Sequence, residues 1–322
     1  MYNNKILIIG ALGQIGSELT FKLANIYGES KIIASDIKLT KKKKFGNIKY
    51  LHLNILDRKS LFDLVKKYNI NEIYLLAASL SYRAENNIYE SWLLNTNSLL
   101  NVLEVARIFK IKKIFWPSSI AVFGNTSEKI NTPQIGIIEP NSIYGITKLA
   151  GERLCEYYFN KFNLDIRSLR LPGLISWKTL PGGGTTDYAV DIFHHAIQNK
   201  NYTCFLKRNT VLPMMYIDDA INAIIILMTN DQKKITIRTS YNISGISFSP
   251  NNLYDEIKKY KPEFKIKYKP DIRQDIADSW PQSLDDSNAR KDWNWHRNFD
   301  LSSIVKTMFK NLDKSIKINY DE

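Results

Sequence analysis

A short apolar run, Lys5–Ile9, leads directly into Gly10-Ala11-Leu12-Gly13-Gln14-Ile15-Gly16, and this junction constrains the fold more than any other segment of the chain. Glycines three apart at a strand end permit a tight turn and a close approach of backbone to a ligand. Helical periodicity starts at Gln14, so the turn also presents free N–H groups and a positive dipole end, suited to a phosphate. A glycine pattern alone is weak. A strand before it and a helix after it make it the opening of a βαβ unit that binds a dinucleotide.

The first half of the chain repeats this rhythm. Strands are expected at residues 31–35, 50–53, 72–76, 113–116 and 166–171. Between them lie helix-period segments at 60–68, with Asp57 as N-cap, 92–109 and 144–162. Each strand is a continuous apolar run rather than an alternating one, which indicates a parallel sheet covered on both faces. The expectation is an α/β fold, a doubly wound parallel sheet of Rossmann type, with its ligand crevice at the carboxyl ends of the strands. After Leu171 a loop rich in Gly, Pro and Thr spans 172–187. Shorter helices follow at 188–198, 218–228, 253–259 and 301–312. This divides the chain into a dinucleotide-binding domain, 1–171, and a smaller C-terminal lobe, 172–322, which is mainly substrate-binding and returns some elements to the first domain.

Strand two ends at Asp36, whose carboxylate can accept hydrogen bonds from ribose hydroxyls and repel a 2′-phosphate, so NAD is expected over NADP. Lys38, two residues on, keeps NADP as the alternative. Cofactor contacts are expected from Gly10, Gly13, Gln14, Ile15 and Gly16 in the turn, and from Asp36, Ile37 and Lys38. Further contacts are expected from Asn54, beside the adenine, and Ile55, from Leu76, Ala77 and Ala78 after strand four, and from Tyr144, Lys148 and Leu174.

Tyr144 and Lys148 are four apart on an expected helix and share a face. An ammonium beside a phenol stabilises the phenolate and lowers its pKa from about 10 toward working pH, making it a general base for an alcohol. Strand five ends in Trp116-Pro117-Ser118-Ser119-Ile120-Ala121-Val122-Phe123-Gly124. A hydroxyl there can hold the substrate oxygen near the tyrosine; Ser119 is the first candidate and Ser118 the second.

These residues together resemble the extended short-chain dehydrogenase/reductase family. The glycine turn, the segment 116–124, the run Pro181-Gly182-Gly183-Gly184-Thr185-Thr186-Asp187-Tyr188-Ala189-Val190 and Ile276-Ala277-Asp278-Ser279-Trp280-Pro281 further resemble its epimerase-like, zinc-independent L-threonine 3-dehydrogenases. The resemblance covers nearly the whole chain. It implies oxidation of L-threonine to 2-amino-3-oxobutanoate with NAD, a homodimer, proton transfer at Tyr144 tuned by Lys148, and hydroxyl holding at Ser119, where relatives also carry Thr. Substrate contacts are expected from Ser81, Ser119, Tyr144, Gly184, Thr185 and Thr186. The stretch Ser79-Leu80-Ser81-Tyr82-Arg83 departs from the pattern, which puts Ser81 in question. For the carboxylate, the loop amides of 182–184 are the expected donors. The homodimer is expected to pair helices 92–109 and 144–162 about a two-fold axis, with Leu149, Leu154, Tyr157, Tyr158 and Phe162 as the apolar surface of the second.

Other classes fit less well. A nucleotide-sugar epimerase or dehydratase would use the same scaffold but needs a larger C-terminal pocket. The net charge of +13 raises a nucleic-acid partner or a non-catalytic dinucleotide sensor. However, the lysines are scattered, and the one run, residues 41–44, falls in an expected surface loop. The Lys-, Asn-, Ile- and Tyr-rich composition follows A/T-rich codons. No nucleic-acid partner and no membrane association are expected. Two cysteines, Cys155 and Cys204, form no disulfide framework, and no signal segment is read before the first strand, so the cytoplasm is expected. No metal is expected. Of His52, His194, His195 and His296, only His195 finds a helical partner, Asp191, and a third ligand is lacking.

Overall fold

Consecutive side chains of a strand point to opposite faces of its sheet, and β1 (Lys5–Ile9) shows why its run is unbroken. Ile6 and Ile8 enter one hydrophobic core, Leu7 and Ile9 the other, so both faces of this strand are buried. The same sheet contains β2 (Ile32–Asp36), β3 (Lys49–His52), β4 (Ile70–Leu75), β5 (Lys113–Ser119) and β6 (Ile166–Leu171). In the computed structural model, which describes residues 5–39 and 45–320 and side chains as far as residue 313, all of these pair in parallel. The lysine run at 41–44 lies outside the described residues.

Beyond β6 come β7 (Gly173–Ile175), β8 (Tyr202–Cys204), β9 (Leu212–Tyr216), β10 (Tyr241–Asn242), β11 (Ile246–Phe248) and β12 (Ile266–Tyr268). β10 returns to the main sheet beside β6, giving the order β10-β6-β5-β4-β1-β2-β3. β11, β9 and β7 form a second sheet, and β12 pairs with β8. In the main sheet the chain proceeds outward from β1 to β3, then restarts at β4 on the other side of β1. That reversal opens a crevice between the carboxyl ends of β1 and β4.

Helices α1 (Gln14–Tyr27) and α2 (Arg58–Tyr68) match their expected segments closely, and the Asp57 side chain caps α2 by accepting from Ser60 N. The segment 81–109 is more broken than its periodicity suggests. It contains α3 (Ser81–Asn86), α4 (Ile88–Trp92), a π-helical turn at Leu93–Asn97 and α5 (Ser98–Phe109). Inside that turn Asn95 is buried; it accepts from Ser79 N and donates to Ser79 O and to Thr147 Oγ1. Thr147 belongs to α6 (Ile143–Phe162), so this hub fastens the π-turn to the helix carrying Tyr144 and Lys148. A wide helical turn beside a functional site is a recurrent pairing.

The later helices are α7 (Tyr188–Ile197), α8 (Ile217–Thr229), α9 (Pro250–Lys258), α10 (Ile272–Ser279), α11 (Ser287–Trp293) and α12 (Leu301–Tyr320). α10 and α11 were not anticipated: both are short and polar enough to carry little apolar period. No helix among the described residues is long and apolar enough to cross a membrane.

Candidate active site

The crevice holds two cavities, of about 480 and 230 Å³, which share Gly10, Gly13, Leu76 and Ala78. The larger is lined by Asp36, Ile37, Lys38, Asn54, Ile55 and Ala77. The smaller is lined by Gln14, Ile15, Gly16, Ser81, Ser119, Tyr144, Lys148, Leu174, Gly184 and Thr186. The fold thus brings together every expected cofactor and catalytic position, from seven separate stretches of chain.

The turn is built for close approach. Gly10 has φ +89°, and a Cβ there would stand 2.7 Å from Ala77 N. Asp36 faces the far end of the cleft, its Oδ2 accepting from Leu12 N at 3.0 Å and its Oδ1 from Lys38 N at 3.1 Å. Each oxygen keeps a lone pair for a ligand hydroxyl. The Lys38 side chain, the candidate for a 2′-phosphate, is exposed at the same cavity.

At the other end, the side chains of Ser119, Tyr144 and Lys148 converge. Ser119 ends β5 and accepts from Ala121 N at 3.2 Å. Tyr144 opens the first turn of α6, whose N-cap Ser142 accepts from Gly145 N. Gly145 permits this placement: a Cβ there would lie 2.1 Å from Ala121 O, so the helix start can abut the turn that follows Ser119. Burial pushes the Tyr144 phenol up to about 12, while a hydrogen bond with Ser119 acts in the opposite direction. Lys148 is buried, donates to Pro117 O at 2.6 Å, and lies 4.6 Å from the Trp116 ring centroid and 5.5 Å from that of Tyr144. Burial lowers its ammonium to about 7, opposed by the nearby Cys155 and Glu152.

The choice between the two serines is made by packing. Ser118 donates to Glu152 Oε1 at 2.6 Å, and Glu152 is paired with Arg170 at 2.8 Å in a buried network. Its hydroxyl is therefore committed, and Ser119 alone is left beside Tyr144.

The glycine-threonine loop departs from expectation. Gly183 N and Gly184 N, expected to face a substrate carboxylate, both donate to Asp187 Oδ2 at 2.8 Å. Thr185 is fully buried, and its N donates to Ser81 Oγ at 3.0 Å while its hydroxyl lies 3.0 Å from the same atom. Thr185 therefore does not line the cavity in this structure, and Ser81, which does, already serves as an anchor for the loop. The reason is the need to satisfy buried backbone donors locally. Thr186 and Gly184 remain at the cavity.

Several lining residues were not selected from the sequence as site residues. Asp187 places a carboxylate in the smaller cavity; burial raises its pKa, opposed by the glycine amides and Arg273. Leu80 and Trp280 supply apolar wall there, and Arg83 faces the larger cavity. Asp187 and Trp280 stood inside motifs already noted, so a signal existed; their direction did not. Among the described residues no group of three His, Cys, Asp or Glu is placed to hold a metal ion. His195 Nδ1 lies 3.5 Å from Asp191 Oδ1 on α7.

The arrangement suits proton abstraction from a small alcohol bearing a positive charge, next to a dinucleotide. A GalE-like L-threonine dehydrogenase from Cupriavidus necator in holo form is 50% identical, covering 96% of this chain and 99% of that one, with a TM-score of 0.93. A monomeric L-threonine 3-dehydrogenase from a metagenome, in apo form, is 45% identical over 96% of this chain and 99% of that one, also at 0.93. An uncharacterised epimerase/dehydratase of Staphylococcus aureus is 45% identical over 96% of this chain and 97% of its own length. The sequence model of the NAD dependent epimerase/dehydratase family matches residues 6–244, spanning the glycine turn, the Ser119–Tyr144–Lys148 set and the return strand β10, and the chain belongs to that family.

Proposed function

We propose that this protein is an NAD-dependent L-threonine 3-dehydrogenase, converting L-threonine and NAD⁺ to 2-amino-3-oxobutanoate, NADH and a proton. The observation that carries this reading is one small cavity holding a Ser–Tyr–Lys set and a carboxylate, Asp187, which suits a substrate with both a hydroxyl and an ammonium. A cavity of about 230 Å³ matches a small amino acid better than a nucleotide sugar.

The cradle fits the cofactor, since Gly10 leaves room where any Cβ would collide and Asp36 retains acceptor capacity. The turn residues, Asp36, Ile37, Lys38, Asn54, Ile55, Leu76 to Ala78 and Leu174 would hold it. NAD⁺, when bound, supplies the hydride acceptor and a positive charge near the tyrosine. Ser119 holds the substrate hydroxyl, and Tyr144 takes its proton as phenolate, stabilised by Lys148. Asp187 pairs with the substrate ammonium, and Thr186, which lines the cavity, is a donor for its carboxylate. Residues 1–171 then act as the dinucleotide domain and 172–322 mainly as the substrate lobe, with β10 and α8 returned to the first. The free, buried Cys155 and Cys204 suit a reducing cytoplasm.

A homodimer belongs to the same reading. Ile88, Tyr89, Trp92, Leu100 and Ile108 on α4 and α5, with Ile146, Tyr157 and Phe162 on α6, are exposed. Tyr158 is buried and Leu149 and Leu154 pack against the cores, so the candidate interface is narrower than the sequence suggests.

The test is NADH formation over a panel of L-amino acids and UDP-sugars. Turnover of L-threonine is expected; turnover of a UDP-sugar with none of threonine would overturn the reading in favour of an epimerase or dehydratase.

A further inference from the structure

The motif at 276–281 has no part in the cofactor or proton chemistry described above. Its Trp280 follows α10, is 5% exposed, and lines the same cavity as Ser119, Tyr144 and Asp187. The indole Nε1 is buried and has no hydrogen-bond partner among the described residues. No polar contact of the ring fixes its position; it is held by apolar packing in the core and by its backbone.

That backbone is held by Lys129. Its Nζ lies 2.7 Å from Ser279 O, 3.1 Å from Asp278 O, 3.2 Å from Gly124 O and 3.4 Å from Trp280 O. An ammonium has three protons, so the longest of these contacts is shared. The last carbonyls of a helix lack partners and favour a cation, which Lys129 supplies to α10. Gly124 closes the segment that begins at Ser119. One ammonium therefore ties the catalytic-serine segment to the Trp280 backbone. The neighbouring chain reinforces it, with Gln282 N donating to Lys129 O at 2.6 Å and Thr132 N to Ser283 O at 2.9 Å. Lys129 does not line the substrate cavity; it shares with Trp280 a separate cavity behind the indole.

We propose that Lys129 is a positioning residue that holds Trp280 as the wall limiting the alkyl group on the substrate's carbinol carbon to about the size of a methyl. This rests on the 3-hydroxy amino acid reading given above. Ser119, Tyr144, Lys148 and Asp187 take the hydroxyl and ammonium ends, leaving the indole, with Leu80, as apolar surface for the alkyl end.

The experiment compares kcat/KM for L-threonine with that for its ethyl homologue, 2-amino-3-hydroxypentanoate. In the unmodified enzyme threonine should be favoured roughly 10-fold or more, as one methylene in an apolar pocket permits. Trp280→Leu should reduce that preference several-fold. Lys129→Met should shift the ratio in the same direction, mainly through KM, with the Kd for NAD unchanged. Lys129→Gln retains two donors on a shorter stem and should show a smaller shift, which covers a failure of the methionine variant to fold. Folded Lys129 variants with an unchanged ratio, or an equal loss for both substrates, would overturn the clasp. An unchanged ratio in Trp280→Leu would overturn the wall. An unmodified enzyme that oxidises neither amino acid removes the threonine reading and this inference with it, whereas normal threonine turnover with unchanged ratios removes this inference alone.

Discussion

Lys148 Nζ lies 2.6 Å from the carbonyl oxygen of Pro117, two residues before Ser119 on β5. This contact fastens the helix that carries Tyr144 to the strand that carries Ser119, and it holds the ammonium in a site where burial favours the neutral amine. Burial also favours the neutral phenol of Tyr144, whose ring centroid lies 5.5 Å from the same Nζ, so the charge of each group bears on the other.

The pair sets a pH dependence. With Lys148 lowered to about 7 and Tyr144 raised to about 12, the first proton leaves the pair near neutrality. Transfer of the remaining phenolic proton to the amine gives the phenolate–ammonium arrangement, which is the reactive one. Below that pH both groups are protonated and the base is blocked, so kcat should rise with pH through about 7. Lys148→Met should move the rise toward the tyrosine's own raised value. A profile unchanged by the substitution would show that the lysine does not tune the base.

Tyr144→Phe keeps the ring and removes the proton acceptor. Turnover should fall by roughly 10²–10⁴-fold, with NAD affinity by calorimetry largely intact. Near-normal turnover would show that another group is the base.

Asp36 keeps acceptor capacity beyond its bonds to Leu12 N and Lys38 N. Asp36→Ser should weaken NAD by roughly 10- to 100-fold and narrow its advantage over NADP. Steady-state kinetics with both cofactors checks this; an unmodified enzyme preferring NADP contradicts it.

Asp187→Asn leaves an oxygen to accept from Gly183 N and Gly184 N but removes the charge. KM for threonine should rise by roughly 10- to 100-fold, KM for NAD should barely change, and Tm should be nearly kept. Equal changes in both KM values would instead mark Asp187 as a support of the loop.

Trp92 and Tyr157 are exposed on helices proposed to meet across a two-fold axis. Light scattering at micromolar concentration should give a dimer, and Trp92→Glu with Tyr157→Glu should yield monomers. A monomeric unmodified chain would remove the interface.

Much of the fold was legible because it depends on local order. The β1–Gly10–α1 junction, the six main strands and the Tyr144–Lys148 spacing follow from periodicity and backbone freedom, which neighbouring residues determine. The interruption at Leu93–Asn97 was hidden, because an apolar period continues through it while Asn95 takes its partners from Ser79 and Thr147. The short return strand β10 was equally hidden: two residues carry no period, and only the vacant edge of β6 selects them.

By itself the sequence determined the doubly wound architecture, the glycine turn between β1 and α1 and the placing of Tyr144 and Lys148 on one helix face, since each needs particular residue types at fixed spacing within one junction or one helix. Tertiary structure alone decided that the Ser118 hydroxyl is committed elsewhere and that of Ser119 is not, through the remote Glu152 and Arg170 that claim the former. It also decided that the loop amides serve Asp187 rather than a substrate. The physical reason is that a buried donor or acceptor takes the nearest partner in space, and the folded chain brings residues far apart in sequence within hydrogen-bonding distance.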